Sequence, residues 1–473
     1  MATARKSTYD TCEIEEKRIK TFLNSEVKSY AQYVLRTRTM PSIMDGLRTG
    51  ARKVIYAALK GDLSKKKVVK LLALQGDSLK LQYAHGDASL QTTMVNLCTP
   101  QNNKYHPLEA VGQIPSLRVP HCETAPRYLM VRKTPYLEWY KTDSELWNIQ
   151  EEEGEKIEPT FFLPIIPMIL INRTTSPGFG FSFSSMSYNI NDVIDNVLVS
   201  ITEGSCANSD KTVQLRPEIV GIKDENIIYN ANKNRWFNVG EYELNFDTDT
   251  VIIKDLPYNV SFESLEQTLN LLKDKLIIVG WGNVSEGENI HYIVKFQAGR
   301  LKVVYNQNQW KFFNMLRLYS TIREDILNVM DEDGTTILFY DTPYELIDGF
   351  VRRRLKYYDK RKQNTIVYLK DLISRYEAKI KFINLVIDGK LEIFKRKLVD
   401  IKKDLDKFGL PYFVLDMKFY NITAEEIYKL ESELAETKKE LKYIENTSIQ
   451  EMYIYDIIAF KNSLGAINNK QVS

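Results

Sequence analysis

Attack on a phosphodiester needs an oxygen nucleophile, donors that neutralise the equatorial phosphate oxygens, and a group that can hold or move a proton. Three short segments supply these types: "GARKV" (50–54) carries Arg52, "YAHGD" (83–87) carries His85, and "APRY" (125–128) carries Arg127 beside Tyr128. A phenol, with an ordinary pKa of ~10, attacks phosphorus only as it ionises. Arginine offers a planar fork of donors that fits two phosphate oxygens, and histidine can donate to the phosphate or carry a proton near neutral pH. Tyr128 by itself is one of 28 tyrosines, most of which in any protein pack or hydrogen-bond, so the grouping of types carries the reading.

Elements able to position these groups follow from the rest of the chain. A length of 473 residues implies about three domains. The net charge of +2 excludes a general polycation, so any nucleic-acid surface must be local. Cys12, Cys98, Cys122 and Cys206 lie far apart, without the spacing of a disulfide framework or a zinc site, which implies free thiols in a reducing compartment. The N-terminus has no apolar signal core and no run reaches the ~20 apolar residues of a membrane span, so an intracellular soluble protein is expected.

Residues 1–40 read as a helical arm. In "GARKVIYAALK", Val54, Ile55, Ala58 and Leu59 form one apolar helical face; "KKKVVKLLALQGDSLK" suggests a second helix stopping near Gly76, and "ASLQTTMVNLCTP" a third on Leu90, Met94, Val95 and Leu97. Such helices beside lysines are compatible with helix-turn-helix docking on DNA. Residues 159–190 turn strand-like and rich in loops, and the stretch to about 345 mixes strands ("TVQLRPEIVGI", "DTVIIKDLPY", "HYIVKF", "RLKVVY") with a helix ("SFESLEQTLNLLKD"). The last third carries heptad seams: Ile366, Leu369, Ile373, Tyr376, Ile380, Ile383 and Ile387; then Leu391, Phe394, Leu398, Ile401, Leu405 and Phe408; then Ile427, Leu430, Leu434, Thr437, Leu441 and Ile444. Breakers at "DGK" (388–390) and "FGLPY" (408–412) allow the chain to fold back as an antiparallel hairpin.

The segments "MPSIMDGLRTGARKV", "YAHGDASLQTTMVNL", "ETAPRYLM" and "EPTFFLPIIPMILINRTTSPGFGFS", followed by "YDTPYELIDGFVRRRLKYYDKRKQ" and "MKFYNITAEEIYKLESELAETKKEL", resemble, in order, the breakage-reunion core of type IIA DNA topoisomerases. The resemblance runs from about residue 40 to 460. It implies an α+β multidomain fold: a 1–40 arm, a winged-helix DNA-cleavage domain at 41–158, an α/β tower at 159–344, a long antiparallel coiled coil with a C-terminal dimer gate at 345–460, and a 461–473 tail. It implies Tyr128 as the nucleophile that forms a transient 5′-phosphotyrosine link, Arg127 and Arg52 on the scissile phosphate, and His85 in proton transfer or transition-state stabilisation. Lys65, Lys66, Lys67, Lys70, Lys80, Arg118, Arg132 and Lys133 are the candidate phosphate contacts near that surface, ordinary solvated cations being the alternative for several.

Three departures from the family pattern stand out. Pro177, with Phe179 nearby, stands where the family has an isoleucine that wedges into DNA; proline and phenylalanine also serve as wedges, and a rigid loop without intercalation is the alternative. Ala84 stands where a second His or a Pro is usual, and Thr49 where Pro is usual. The family's metal module and nucleotide-binding block find no counterpart: "FDTDT" (246–250) and "MDEDG" (330–334) read as solvated turn acids. The resemblance therefore implies Mg²⁺ and ATP on partner chains, double-stranded DNA as substrate, a homodimer through the gate, and a hetero-oligomer with one or more ATPase/Toprim subunits. It also favours relaxation and decatenation over supercoiling, and the cytoplasm of the host cell if the source is a bacteriophage. The competing class is a catalytically inactive DNA-binding coiled-coil protein.

Overall fold

The computed structural model describes residues 18–471 except 62, 64–66, 121–123, 179, 232–234, 287–288, 323–324, 394 and 419–421, with side chains described to residue 465. The chain divides into two compact units, Met1–Phe350 and Val351–Ser473.

The first unit opens with an arm in which α1 (Ile19–Phe22) and α2 (Lys28–Val34) alternate with π turns at Leu23–Val27 and Leu35–Thr39. At the end of the second π turn the Met40 amide donates to the Leu35 carbonyl, five residues back, at 3.0 Å, the widened pattern that accommodates an extra residue in a helix. Helix α3 (Thr49–Lys60) buries Val54, Ile55, Ala57 and Ala58. After strand β1 (Val69–Lys70) come α4 (Leu71–Leu79) and α5 (Asp87–Cys98), and then β2 (Leu108–Val111) and β3 (Met130–Lys133). The three strands form an antiparallel sheet ordered β1-β3-β2. Contrary to expectation, α4 runs through Gly76. One glycine costs a helix only about 1 kcal/mol, and the buried face of Leu71, Leu74 and Ser78 continues past it, with the Ser78 hydroxyl donating to the Leu74 carbonyl at 2.9 Å.

A hairpin of β4 (Ile149–Glu152) and β5 (Glu155–Pro159) leads to a second hairpin, β6 (Thr174–Pro177) and β7 (Ser182–Ser185), and to α6 (Ile190–Glu203). Next come β8 (Ile227–Asn230), β9 (Arg235–Val239), β10 (Tyr242–Asn245), β11 (Thr250–Ile253), α7 (Phe262–Asp274), β12 (Ile278–Asn283), β13 (Tyr292–Phe296), α8 (Arg300–Gln307) and α9 (Gln309–Met315). Four of these strands make a sheet ordered β10-β11-β13-β12, whose Val251, Ile253, Tyr292, Val294 and Phe296 pack with Leu265, Leu269 and Phe312 in one core. "RLKVVY", expected as a strand, is the start of α8: the buried Asp249 carboxylate accepts from the Gly299 amide at 2.7 Å and the Leu301 amide at 3.2 Å. That anchor satisfies amides a helix leaves open, and it outweighs the β preference of two valines. "TVQLRPEIVGI" holds only an isolated bridge, Tyr188 to Pro217.

Strand β14 (Tyr319–Thr321) pairs with β9, and β15 (Ile326–Met330) and β16 (Ile337–Tyr340) complete a sheet ordered β16-β15-β7-β6. Met330 joins this sheet to the start of the chain, its amide donating to the Pro41 carbonyl at 2.8 Å while its own carbonyl accepts from the Ile43 amide at 3.0 Å. Residues 159–344 are thus tied to 41–158, and both lie within the first compact unit.

In the second unit, the long helix α10 (Pro343–Ile387), which begins before the division, runs antiparallel to α12 (Ala424–Asn446) and α13 (Ile449–Gln471). Ion pairs mark the register: Glu377 with Lys438 at 2.7 Å, Lys370 with Glu445 at 3.0 Å, and Arg361 with Asp456 at 2.6 Å. The first and third heptad seams lie on α10 and α12. The second departs from expectation. Its helix α11 (Leu398–Phe408) is short, ending at Gly409 with φ +63°, and Leu391, Ile401 and Leu405 join Phe382, Ile383, Leu410, Val414 and Leu430 in a small core. Leu398 is exposed, and Phe394 is outside the described residues. The expected tail continues α13 to Gln471.

The tie at the centre of the first unit is Asp45, fully buried, whose carboxylate pairs with the buried Arg52 at 2.7 Å and accepts from the Phe162 amide at 3.0 Å. Replacing one partner of a buried ion pair strands the other charge. Asp45→Asn is therefore expected to lose roughly 3–5 kcal/mol of stability in urea unfolding; a loss below about 1 kcal/mol would show that the pair is not what holds these segments together.

Candidate functional site

Tyr128 closes a 3-10 turn, Pro126–Tyr128, directly before β3, the central strand of its sheet. Proline at the first turn position sets the backbone, and the Tyr128 amide donates to the Ala125 carbonyl at 3.0 Å. The next residue, Leu129, is buried, and its carbonyl accepts from the Leu71 amide at 3.0 Å, so the turn is fixed to the start of α4. The phenol itself is 71% exposed, unlike the packed tyrosines of the core. The exposed Arg127 lies over its ring, guanidinium carbon 5.2 Å from the centroid. A cation held there is positioned for an anion approaching the hydroxyl.

Arg52 and His85 sit elsewhere in the unit, both lining a cavity of about 730 Å³ bounded by the arm, the start of α3, the 82–85 loop, the β4–β5 hairpin and the β15–β16 turn. Tyr128 and Arg127 are not in its lining. Arg38, at the end of the second π turn, donates from Nε to His85 Nε2 at 3.1 Å. Accepting at Nε2 requires a neutral imidazole with its proton on Nδ1. Nδ1 is buried and makes no hydrogen bond of good geometry among the described residues, the Ala84 backbone being its polar neighbour. Burial lowers the His85 pKa, the Arg38 charge lowers it further, and the Ala84 backbone partly opposes them. Tyr83 packs its ring edge-on to the imidazole, centroids 5.3 Å apart, and its hydroxyl donates to Ser89 Oγ at 3.3 Å. Gly50 makes room for that ring: a Cβ there would stand 3.3 Å from Tyr83.

Several of the expected contacts have partners within the protein. Arg52 is not a free cation: Nε and Nη2 donate to Asp45 at 2.7 and 3.0 Å, and Nη2 also donates to the Leu47 carbonyl at 2.9 Å. Burial lowers its pKa, but the charge and hydrogen bond of Asp45 outweigh this and leave the guanidinium's pKa raised. Arg118 donates to Asp255 at 2.9 Å and to the carbonyls of Leu256, Pro257 and Val260. Arg132 is matched by Glu109 at 2.6 Å, Lys133 by Glu138 at 3.1 Å, and the exposed Lys80 by Asp77 at 2.8 Å. Lys67 and Lys70 are exposed beside and on β1, whereas Lys65, Lys66 and Phe179 lie outside the described residues. Pro177 is exposed at the end of β6, paired with Ser182 across the hairpin. Arg38 is the contributor that the sequence reading missed; its only sequence signal is its place just before "MPSIMDG". Cys98 and Cys206 are free thiols, as expected, and both are buried; Cys12 and Cys122 lie outside the described residues. Among the described residues no three His, Cys, Asp or Glu side chains converge on a metal-sized site, and no helix is long and apolar enough to cross a membrane.

The sequence profile of the family made up of the A subunits of DNA gyrase and topoisomerase IV matches residues 38–461. The DNA topoisomerase medium subunit of Enterobacteria phage T4 is 25% identical over 466 residues, covering 95% of this chain and 100% of that protein. The mitochondrial DNA topoisomerase 2 of Dictyostelium discoideum is 25% identical over 94% of this chain but 35% of its own length, so this chain spans about a third of that relative. In three dimensions the chain is similar to the crystal structure of the Plasmodium falciparum topoisomerase II DNA-binding, cleavage and re-ligation domain. The TM-score is 0.79 at 25% identity, over 95% of this chain and 65% of that one.

The Arg38 to His85 contact has a measurable consequence. Removing the neighbouring cation makes the imidazolium easier to form, so Arg38→Leu raises the His85 pKa from its lowered value toward the ordinary one. Titration of the His85 ring protons by NMR reads this directly, and an unchanged or lower midpoint rules out Arg38 as a cause.

Proposed function

The chain belongs to the family of DNA gyrase/topoisomerase IV A-type subunits, and on that premise we propose that it is the DNA-cleaving and re-ligating subunit of an ATP-dependent type IIA topoisomerase. The observation that carries the reading is the exposed Tyr128 hydroxyl, held on a fixed turn with Arg127 over its ring. In the proposed step Tyr128 Oη bonds to phosphorus as the bond from phosphorus to the 3′ oxygen breaks. The tyrosine proton leaves, the 3′ oxygen gains one, and a 5′-phosphotyrosine remains. Reversal reseals the strand, so the bond chemistry needs no nucleotide hydrolysis. Arg127 neutralises the phosphate oxygens, and His85, kept neutral by burial and by Arg38, assists proton transfer or stabilises the transition state. Arg52, whose Nε and Nη2 are held by Asp45, stays with Arg127 as the proposed contact to the scissile phosphate.

In the same reading, α3, α4 and α5 with the β1-β3-β2 sheet form the winged-helix domain, residues 159–344 the tower, and α10 with α12 and α13 the coiled coil leading to a dimer gate. Two copies cut the two strands of a duplex. Mg²⁺ and ATP act on partner ATPase/Toprim chains, and Pro177 is the wedge that kinks the DNA. Relaxation and decatenation are the expected activities.

The experiment is plasmid cleavage by the full chain with its partner subunits, Mg²⁺ and ATP, followed by trapping of the covalent protein–DNA adduct. Tyr128→Phe is expected to abolish the adduct while duplex binding persists. An adduct that survives in that variant removes Tyr128 from the mechanism, and binding without cleavage by the unmodified assembly favours the non-catalytic DNA-binding class.

A further inference from the structure

Arg173 stands immediately before β6, whose far end is Pro177. Its guanidinium carbon lies 4.8 Å from the centroid of the Tyr258 ring. Other arginines of the unit are matched: Arg52 by Asp45, Arg118 by Asp255, Arg132 by Glu109, and Arg216 by Asp192. Arg173, half-buried, has the ring beneath it and, among the described residues, no hydrogen bond or ion pair from its guanidinium. Its donors thus lie over the ring with no hydrogen-bond partner among the described residues.

The platform under it is fixed on several sides. Tyr258 is 3% exposed, and its amide donates to the side chain of the fully buried Asn238. The same loop is clamped by Arg118, which donates to Asp255, Leu256, Pro257 and Val260. On the other flank Asn172, next to Arg173, accepts from the Tyr105 amide at 3.2 Å and donates to the Tyr105 carbonyl at 3.4 Å. Both the cation and the ring that orients it are therefore set before any ligand arrives, which is what a planar fork needs to bind an anion with little loss of rotamer freedom.

We propose that Arg173, stacked on Tyr258, binds a backbone phosphate of duplex DNA beside the step that meets the β6–β7 hairpin. This rests on the DNA reading above. Pro177 lies four steps along the strand from Arg173, a length of about 13 Å at ~3.3 Å per residue. A minor groove is about 7.5 Å deep, so a side chain at Pro177 can reach into it while Arg173 stays at the level of the phosphates. A phosphate contact at that place fixes the register of the hairpin on the duplex without reading sequence.

The test is equilibrium binding of a labelled duplex to the full chain across a range of salt concentrations, in the Tyr128→Phe background so that cleavage does not contribute. Arg173→Ala is expected to bind several-fold more weakly at moderate salt, with the slope of log affinity against log salt reduced by about 0.9, the value for one phosphate contact. Arg173→Lys keeps the charge without the stacked plane, so it should retain the slope and recover part of the affinity. Thermal unfolding of each variant checks that the fold is intact. Unchanged affinity and slope in Arg173→Ala overturn the proposal, as does a drop in thermal stability with binding per folded molecule unaltered, because then the stack is only structural. Absence of salt-dependent duplex binding by the parent protein overturns the wider DNA reading along with it, whereas normal parental binding with an indifferent Arg173→Ala overturns the Arg173 assignment alone.

Discussion

The carboxylate of Asp45 lies wholly out of solvent and accepts four hydrogen bonds: from the Leu47 amide, from Nε and Nη2 of Arg52, and from the Phe162 amide. A buried charge is tolerable only when it is surrounded in this way, and the requirement draws the 41–47 turn, α3 and the 160s segment onto one point. Gly46 makes the approach possible: it has φ +70°, and a Cβ there would stand 2.7 Å from the Ile169 amide nitrogen. A second buried pair, Lys53 with Glu158 at 2.9 Å, closes α3 against β5. The cavity that holds His85 is what remains between the elements so fixed.

Helical periodicity made α3, α5 and α7 legible, because each carries an apolar face long enough to be counted. What could not be read was governed by single contacts between residues far apart in sequence. Asp249 makes a helix of "RLKVVY" from fifty residues away, and nothing inside that hexapeptide announces it. Arg118 looked like a surface cation until the loop at 255–260 closed over it. The motif residues Arg52, His85, Arg127 and Tyr128 were visible as types, but their division into a pair lining a cavity and an exposed surface pair was not, since sequence order carries no burial.

In the second unit the heptad pattern identified the helices that pair but not the place where pairing stops. Tyr358 and Tyr453 stack at 4.5 Å between α10 and α13, with Asp456 accepting from the Tyr358 hydroxyl at 2.8 Å and from Arg361 at 2.6 Å. Burial, opposed by the Arg354 charge and reinforced by Tyr453 and Asp456, pushes the Tyr358 phenol far above its ordinary pKa and keeps it a donor. Thr437, the polar step in the third seam, is buried without penalty because its hydroxyl donates to the Glu433 carbonyl one turn back at 2.7 Å.

The π turns of the arm make its geometry depend on chain length more than on residue identity. Each added or deleted residue turns everything on its N-terminal side by about 100° and slides it by about 1.5 Å, while substitutions leave that phase alone. Ser176 Oγ, bonded to the Thr39 carbonyl, pins the inner end, so the whole displacement is delivered to the outer end, where Ile19, Phe22, Leu23 and Tyr30 are exposed. Insertions and deletions between residues 23 and 37 thus act as a rotary adjustment, re-aiming an apolar stripe while Arg38 keeps its hold on the imidazole.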